Sequence, residues 1–362
     1  MTLAVAGAGM AGLVAAARAR ELGGDVALTE KGARPGGSML LSSGVIWRHR
    51  DWDDFRRECP AGDERLQRLV WERLDDAVDW LVSLGAPVVW EDTGNPRTVG
   101  KRFDPPGLVA ALLRRGPGVE LGRGELHDDG PLLLCTGGFA ASPELVAEHV
   151  APAAPLRLRG NPWSAGDGLR HAGARGAALT GGMNEFYGRN MPDAGWGEDE
   201  LVSASQLYAR FARIVDADGV EFFAARDVSW SETNVVQATA QRRGATAYYL
   251  LDEAALEQRV RDRTVAEIVA AAPPAARVPL DGLPFAAPPG VVAAVRVAAA
   301  ITHTIGGLLV DDRARVLRAD GSAVGGLWAA GVDAGGVATG GYASGLAQAL
   351  VLGLTAAENA SS

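Results

Sequence analysis

Lysine is nearly absent from this chain. Of its 35 basic residues only Lys31 and Lys101 are lysines, so arginine is the default cation and a lone arginine is weak evidence for an anion site. Cysteine is scarce as well. Cys59 and Cys135 are too few for a disulfide framework or a metal cluster, and no C-x-x-C-H haem signature occurs. A basic surplus is lacking: 44 acidic residues outnumber the basic ones and leave a net charge of −9. That balance argues against a nucleic-acid partner, which needs cations to neutralise phosphates. No apolar run approaches the ~18 residues of a membrane span. The chain opens on a strand pattern without a signal-peptide pattern, so a reducing, cytoplasmic setting is expected, with no metal. What remains is 362 residues, 48% hydrophobic and 22% charged. This is the composition of a globular protein with room for two domains.

The organising stretch is the first thirty residues. Thr2–Ala6 is a short apolar run suited to a buried parallel strand. It breaks into Gly7-Ala8-Gly9-Met10-Ala11-Gly12, an Ala-rich helical pattern follows to about Glu21, and a second apolar run ends at Glu30. This is G-x-G-x-x-G with a strand before it, a helix after it and an acidic residue at the right remove. Gly7 allows the tight turn, Gly9 lets the backbone approach a pyrophosphate, and Gly12 lets helix and strand pack closely. Glu30 accepts from ribose hydroxyls. The free N–H groups at the helix N-terminus face the phosphates.

A Gly/Ser-rich loop, Arg34-Pro35-Gly36-Gly37-Ser38, then runs into Met39–Gly44 and is placed to close over a phosphate or a flavin edge. Residues 52–84 read as a single amphipathic helix with Leu66, Val70, Leu74, Ala77 and Leu81 on one face, ended by Gly85 and Pro87. Residues 91–107, rich in Gly and Pro, read as a loop, 108–115 as a short helix and 119–121 as a brief strand. Leu132–Leu134 is a second buried strand ending in Cys135-Thr136-Gly137-Gly138. Asp167, in Gly166-Asp167-Gly168, either caps the helix that follows or holds a cofactor hydroxyl. From about Met183 to Thr302 aromatics gather and glycine loops stop. Such a segment suits a lid over an apolar ligand, and equally a small domain using bulky residues as its core. Residues 273–289 read as a Pro/Ala linker. The opening style then returns: a strand at 308–310, a final buried strand at 327–331, a glycine loop, and a terminal helix starting near Leu346.

Taken together, GAGMAG with Glu30, PGGS with SSG, LLCTGGF, GDG, THTIGG, and LWAAGVDAGG running into GGYASG resemble the FAD-dependent fumarate reductase and succinate dehydrogenase flavoprotein family. Within it they look most like the 3-ketosteroid dehydrogenases. The resemblance implies an α/β fold: a Rossmann-like FAD-binding domain (1–182 and 303–362) interrupted by a smaller α+β capping domain (183–302). It implies non-covalent FAD. Gly7, Gly9, Met10 and Ala11 would meet the pyrophosphate, and Glu30, with Lys31 beside it, the adenosine ribose. Gly37, Ser38, Ser43 and Gly44 would lie by the flavin or phosphates, and Thr136, Gly137 and Asp167 would continue that shell. His303 matches a flavin-contacting histidine, although a satisfied structural imidazole is an equal reading. The helix beginning at Gly345, Leu346 and Ala347 would aim N–H groups at the flavin, where they stabilise its reduced, anionic form.

Departures from the family carry as much information. The stretch between Val119 and Leu132 is short, so the small β-meander of relatives is expected to be missing. The family's Glu after AAG is Val332 here, and Asp333, one step on, is the candidate substitute. Dicarboxylate enzymes place an Arg where Tyr342 stands and a substrate-binding His where Thr302 stands. Their proton-delivering Arg falls at Glu232 or Ser231, counting back from Tyr248–Asp252. A buried dianion without counter-charges costs several kcal/mol per charge, on the order set by, so fumarate reduction is rejected. A phenol at 342 suits a neutral ketone: its hydrogen bond strengthens as the oxygen becomes enolate-like.

The expected activity is therefore FAD-dependent interconversion of a saturated ketone and its α,β-unsaturated form, on an apolar substrate, with an unassigned electron acceptor. Tyr342, with Ser344 or an amide near Leu346, would polarise the carbonyl, and Glu232, or second to it Tyr187, would take the α-proton. A solvated surface charge is the slightly stronger reading of Glu232, and a core residue the stronger reading of Tyr187. Amine or hydroxy-acid oxidation on the same fold, and a non-catalytic flavin-binding module, are the alternatives.

Overall fold

A computed structural model describes every residue except Asp128, Ser361 and Ser362. The chain divides into two compact units, Met1–Leu145 with Gly160–Glu185 and His303–Ser362, and Val146–Arg159 with Phe186–Thr302. The segment 146–159, expected with the FAD-binding part, joins the second unit. The reason is strand pairing: Arg157 and Leu158 lie parallel to Ala300 and Ile301.

In the first unit, β1 (Leu3–Ala6) leads into α1 (Met10–Glu21) and β2 (Val26–Glu30). After them come β3 (Val45–His49), α2 (Trp52–Glu58), α3 (Glu64–Ser83), β4 (Val88–Trp90) and β5 (Thr98–Phe103). Next are α4 (Pro105–Arg115), β6 (Val119–Leu121), β7 (Leu132–Leu134) and the single turn α5 (Pro143–Leu145). The expected single helix over 52–84 is thus two helices. Cys59–Asp63 interrupts them, and the Asp63 carboxylate accepts from the Arg65 and Leu66 N–H groups to start the second. Residues 98–103, expected as loop, form β5 between β3 and β4 in a three-stranded antiparallel sheet. Among the described residues no strand lies between β6 and β7.

The second unit begins with a helical turn (Val146–Val150) and β8 (Arg157–Leu158), and α6 (Asp167–Ala174) follows in the first. The second unit resumes with β9 (Phe186–Pro192), β10 (Arg213–Val215), β11 (Glu221–Phe223), α7 (Thr233–Ala240) and β12 (Thr246–Leu251). It closes with α8 (Glu253–Leu256), β13 (Arg259–Val260), β14 (Arg263–Thr264), α9 (Val265–Ala271) and the long β15 (Ala293–Thr304). The first unit ends with β16 (Arg315–Leu317), β17 (Ala323–Ala329) and α10 (Gly345–Ala360). The strand expected at 308–310 is only bridge contacts, Leu308 to Leu179 and Ala334 and Val310 to Val316.

The main sheet of the first unit runs β16-β17-β7-β1-β2-β6. It is parallel apart from the edge strand β16. β1 and β7 are central, with Leu3, Val5 and Leu132–Leu134 all buried, as a parallel sheet covered on both faces requires. Helix α10 lies on α1: a Cβ at Gly353 would stand 2.7 Å from the Ala11 carbonyl oxygen. The second unit is α+β around the order β11-β10-β12-β15-β8, with β9 also on β15. On β12, alternation sends Tyr249 into a core with Tyr208, Ile214, Val235 and Val297, and Tyr248 to the opposite face against Phe285. For these aromatics the core reading holds over the lid reading.

Candidate active site

The first unit builds a cradle from its glycines. Gly7 has φ +102°, and a Cβ there would lie 2.2 Å from the Cys135 carbonyl oxygen. A Cβ at Gly12 would lie 1.8 Å from the Gly7 oxygen, whereas nothing stands within 4 Å of the corresponding position at Gly9. The backbone is therefore pressed together beneath Gly9 and open above it. Helix α1 has no side-chain cap at Gly9 and no acidic residue in its first turn. Its leading N–H groups are left to an anion, as a diphosphate site needs. The next loop closes over this turn: the Gly36 N–H donates to the Ala8 oxygen at 2.7 Å, and a Cβ at Gly37 would stand 3.2 Å from the Gly9 Cα. Ser38 lies in the short turn that follows.

Glu30 is 5% exposed and accepts from the Ala8 N–H (2.8 Å) and the Gly32 N–H (2.7 Å). A carboxylate has about four acceptor sites, so capacity remains for ribose hydroxyls. Lys31 pairs with Asp167 at 2.7 Å. Asp167 makes no side-chain cap on α6, so the capping alternative is not what its carboxylate does. Thr136 ties three elements together: its hydroxyl accepts from the Gly168 N–H (3.1 Å) and donates to Asp333 (3.0 Å). The Asp333 carboxylate also accepts from the Thr136 and Gly138 N–H groups. Burial raises its proton affinity against those hydrogen bonds. Gly137, at φ +92°, lies between these donors and packs on Ser164.

A second group of residues gathers at the start of α10. The Ser344 hydroxyl accepts from the Ala347 N–H at 3.2 Å, a helix-capping contact. His303 meets Thr304 O through Nδ1 at 3.1 Å, and a Cβ at Gly345 would stand 3.1 Å from its Nε2. Tyr342 is half-buried, with its ring 5.4 Å from that of Trp47. Its carbonyl lies 3.4 Å from Nε2 of His49, a ring that burial keeps less basic than usual. Ser43 and Gly44 lead into β3, which carries both Trp47 and His49; the Gly44 N–H donates to Ser42 Oγ at 3.1 Å. Sequence reasoning missed Trp47 and His49. The signal was the i, i+2 spacing of two rings directly after the SSG loop.

In the second unit Glu232 is 4% exposed, so the surface-charge reading is overturned. Its backbone adopts the left-handed conformation (φ +56°) at the head of α7, and Oε1 has no hydrogen-bond partner. Burial pushes the carboxyl up to about 7, opposed by Arg189, Arg210 and the Ala209 N–H. Arg189, 8% exposed, lies over the ring of half-buried Tyr187 at 4.7 Å from its centroid. It was also missed, although two residues apart on one strand put Tyr187 and Arg189 on one face.

The FAD binding domain family model matches residues 2–115 and 107–346. A search of curated proteins returns no match. Among solved structures the chain is similar to a 3-ketosteroid Δ1-dehydrogenase from Sterolibacterium denitrificans in complex with 1,4-androstadiene-3,17-dione. The two are 17% identical, with 99% of each chain covered and a TM-score of 0.77. It is similar to a 3-ketosteroid-Δ4-(5α)-dehydrogenase from Rhodococcus jostii RHA1 in complex with 4-androstene-3,17-dione, with 19% identity, 99% of this chain and 96% of that one covered, and a TM-score of 0.73. A flavocytochrome c3 fumarate reductase in its open conformation is 22% identical, with 99% and 78% covered and a TM-score of 0.73. Among the described residues no helix is long and apolar enough to cross a membrane. With the glycine cradle, the uncapped helix and the match along nearly its whole length, the chain belongs to the FAD binding domain family and is a flavin-dependent oxidoreductase.

Proposed function

We propose that this enzyme interconverts a saturated ketone and its α,β-unsaturated form, on a neutral, apolar and polycyclic substrate of the kind held by the two ketosteroid dehydrogenases. The observation that carries the reading is a phenol, Tyr342, set against Trp47 immediately before α10. A guanidinium there would favour a carboxylate; a phenol favours a carbonyl, because the oxygen gains charge only as the reaction proceeds. FAD, when bound, supplies the acceptor for the hydride that leaves the β-carbon. Gly345 and the uncharged first turn of α10 leave N–H groups available near the same carbonyl, while Ser344 holds that turn in place. Glu232 and Tyr187 are the two candidates for taking the α-proton. Glu232 is too enclosed at 4% exposure to meet a substrate, which favours half-buried Tyr187 as the group that does, with Glu232 behind it.

The test is stopped-flow bleaching of the oxidised flavin with a panel of 3-ketosteroids and cyclic ketones, with succinate as a control. Tyr342→Phe is expected to slow bleaching by about 100-fold or more, the cost typical of one lost oxyanion donor. Full rate in Tyr342→Phe, or bleaching by succinate instead of ketones, overturns the reading.

A further inference from the structure

We propose that Arg189 is a positioning residue that couples Glu232 to Tyr187 and sets how tightly that phenol holds its proton. The geometry lies wholly within the second unit. The Arg189 guanidinium covers the face of Tyr187 at 4.7 Å and is itself nine-tenths buried. It donates to Gly188 O at 3.3 Å and to the carbonyl of Ser231, the residue next to Glu232. That fixes the cation between the phenol and the head of α7. Glu232 is held there by its N–H donating to Ser229 O (3.0 Å), in a backbone conformation that costs an L-residue about 1 kcal/mol or more. One buried carboxylate oxygen, Oε1, is left without a partner.

A cation over a phenol ring stabilises the phenolate, and an ionised carboxylate behind that cation offsets part of the effect. The charged and titratable groups that face Glu232 are Arg189 from β9, Arg210 beside the Ala209 N–H, Tyr208, and Tyr249 from β12. Burial pushes Tyr208 and Tyr249 up, so both stay neutral and the balance is between the two arginines and one carboxyl. With Glu232 protonated, Arg189 acts on Tyr187 undiminished; with Glu232 ionised, its pull weakens. The inference rests on Tyr187 as the acceptor of the substrate's α-proton. In that step the C–H bond breaks, the phenol O–H forms, and the electron pair stays on the substrate as its enolate.

Holoenzyme labelled with 3-fluorotyrosine gives one ¹⁹F signal for each of the five tyrosines, and Tyr187→Phe assigns the relevant one. Arg189→Met should raise the Tyr187 titration midpoint by about one unit, Arg189→Lys should keep most of the wild-type value, and Glu232→Gln should lower it by a similar amount. Midpoints unchanged within about 0.3 unit overturn the proposal, and Glu232→Gln gives that answer even where Arg189→Met fails to fold. Wild-type flavin bleaching by Tyr187→Phe also overturns it, yet leaves the carbonyl role of Tyr342 standing, since that role is read from Tyr342→Phe alone.

Discussion

Replacing Glu232 by glutamine should stabilise this protein by an amount that grows from about pH 4.5 and is complete above about pH 7. Burial pushes the Glu232 carboxyl up to about 7 from its ordinary 4.5. Below pH 4.5 the group is protonated in folded and unfolded chains alike, and its contribution to stability is fully present. Between 4.5 and 7 the unfolded chain releases the proton while the folded one keeps it, so stability falls as pH rises. Above about 7 the loss is complete. A gap of about 2.5 units at 1.36 kcal/mol each is about 3 kcal/mol. Glutamine resembles the protonated carboxyl and carries no such penalty. Thermal unfolding of wild type and Glu232→Gln from pH 4.5 to 8, followed by near-UV circular dichroism, should give coincident midpoints at the acid end. The midpoints should separate by roughly 10 °C at the alkaline end for a unit of this size. A separation that does not change with pH, or a glutamine variant that weakens as pH rises, refutes the buried-carboxyl argument.

Three further outcomes follow from the first unit. Gly12→Ala places a Cβ 1.8 Å from the Gly7 oxygen, so the purified variant should lack the yellow colour of bound flavin while far-UV circular dichroism shows its helices retained. Asp333→Asn exchanges an acceptor for a partial donor facing two N–H groups. It should cost about 1–3 kcal/mol in guanidinium unfolding and lower flavin affinity by equilibrium dialysis. Cys59 and Cys135 are buried, and burial pushes both thiols well up. Neither should react with a disulfide reagent until denaturant is added, which a colorimetric thiol assay reads directly.

The nucleotide-binding end was legible because its signals are local. Three glycines, a strand and Glu30 fall within thirty residues, and each is required by backbone approach within one βαβ turn. Composition misled where glycine serves a different purpose. Residues 98–103 look like loop, yet Gly100 sits in β5 where a Cβ would strike the Ile46 oxygen at 2.0 Å: the glycine marks strands in close contact, not a chain without structure. The break between α2 and α3 was readable in Pro60, Gly62 and the capping Asp63, but the strong apolar periodicity of 66–81 concealed it. Glu232 was the hardest residue to judge. The groups that act on it electrostatically, Arg189 more than forty positions away with Tyr208 and Tyr249, come together only in the fold; no local pattern announces such an arrangement.

The packing of α10 on α1 joins segments more than 300 residues apart in the chain. Helix α1 is synthesised well before α10, and β7 stands between β1 and β17 in one sheet. Ala11 and Val14 lack their cover until Gly353 arrives. A chain cut before Gly353 would have every strand of the sheet but leave the Ala11–Val14 face of α1 bare, so it should aggregate more readily than the full chain.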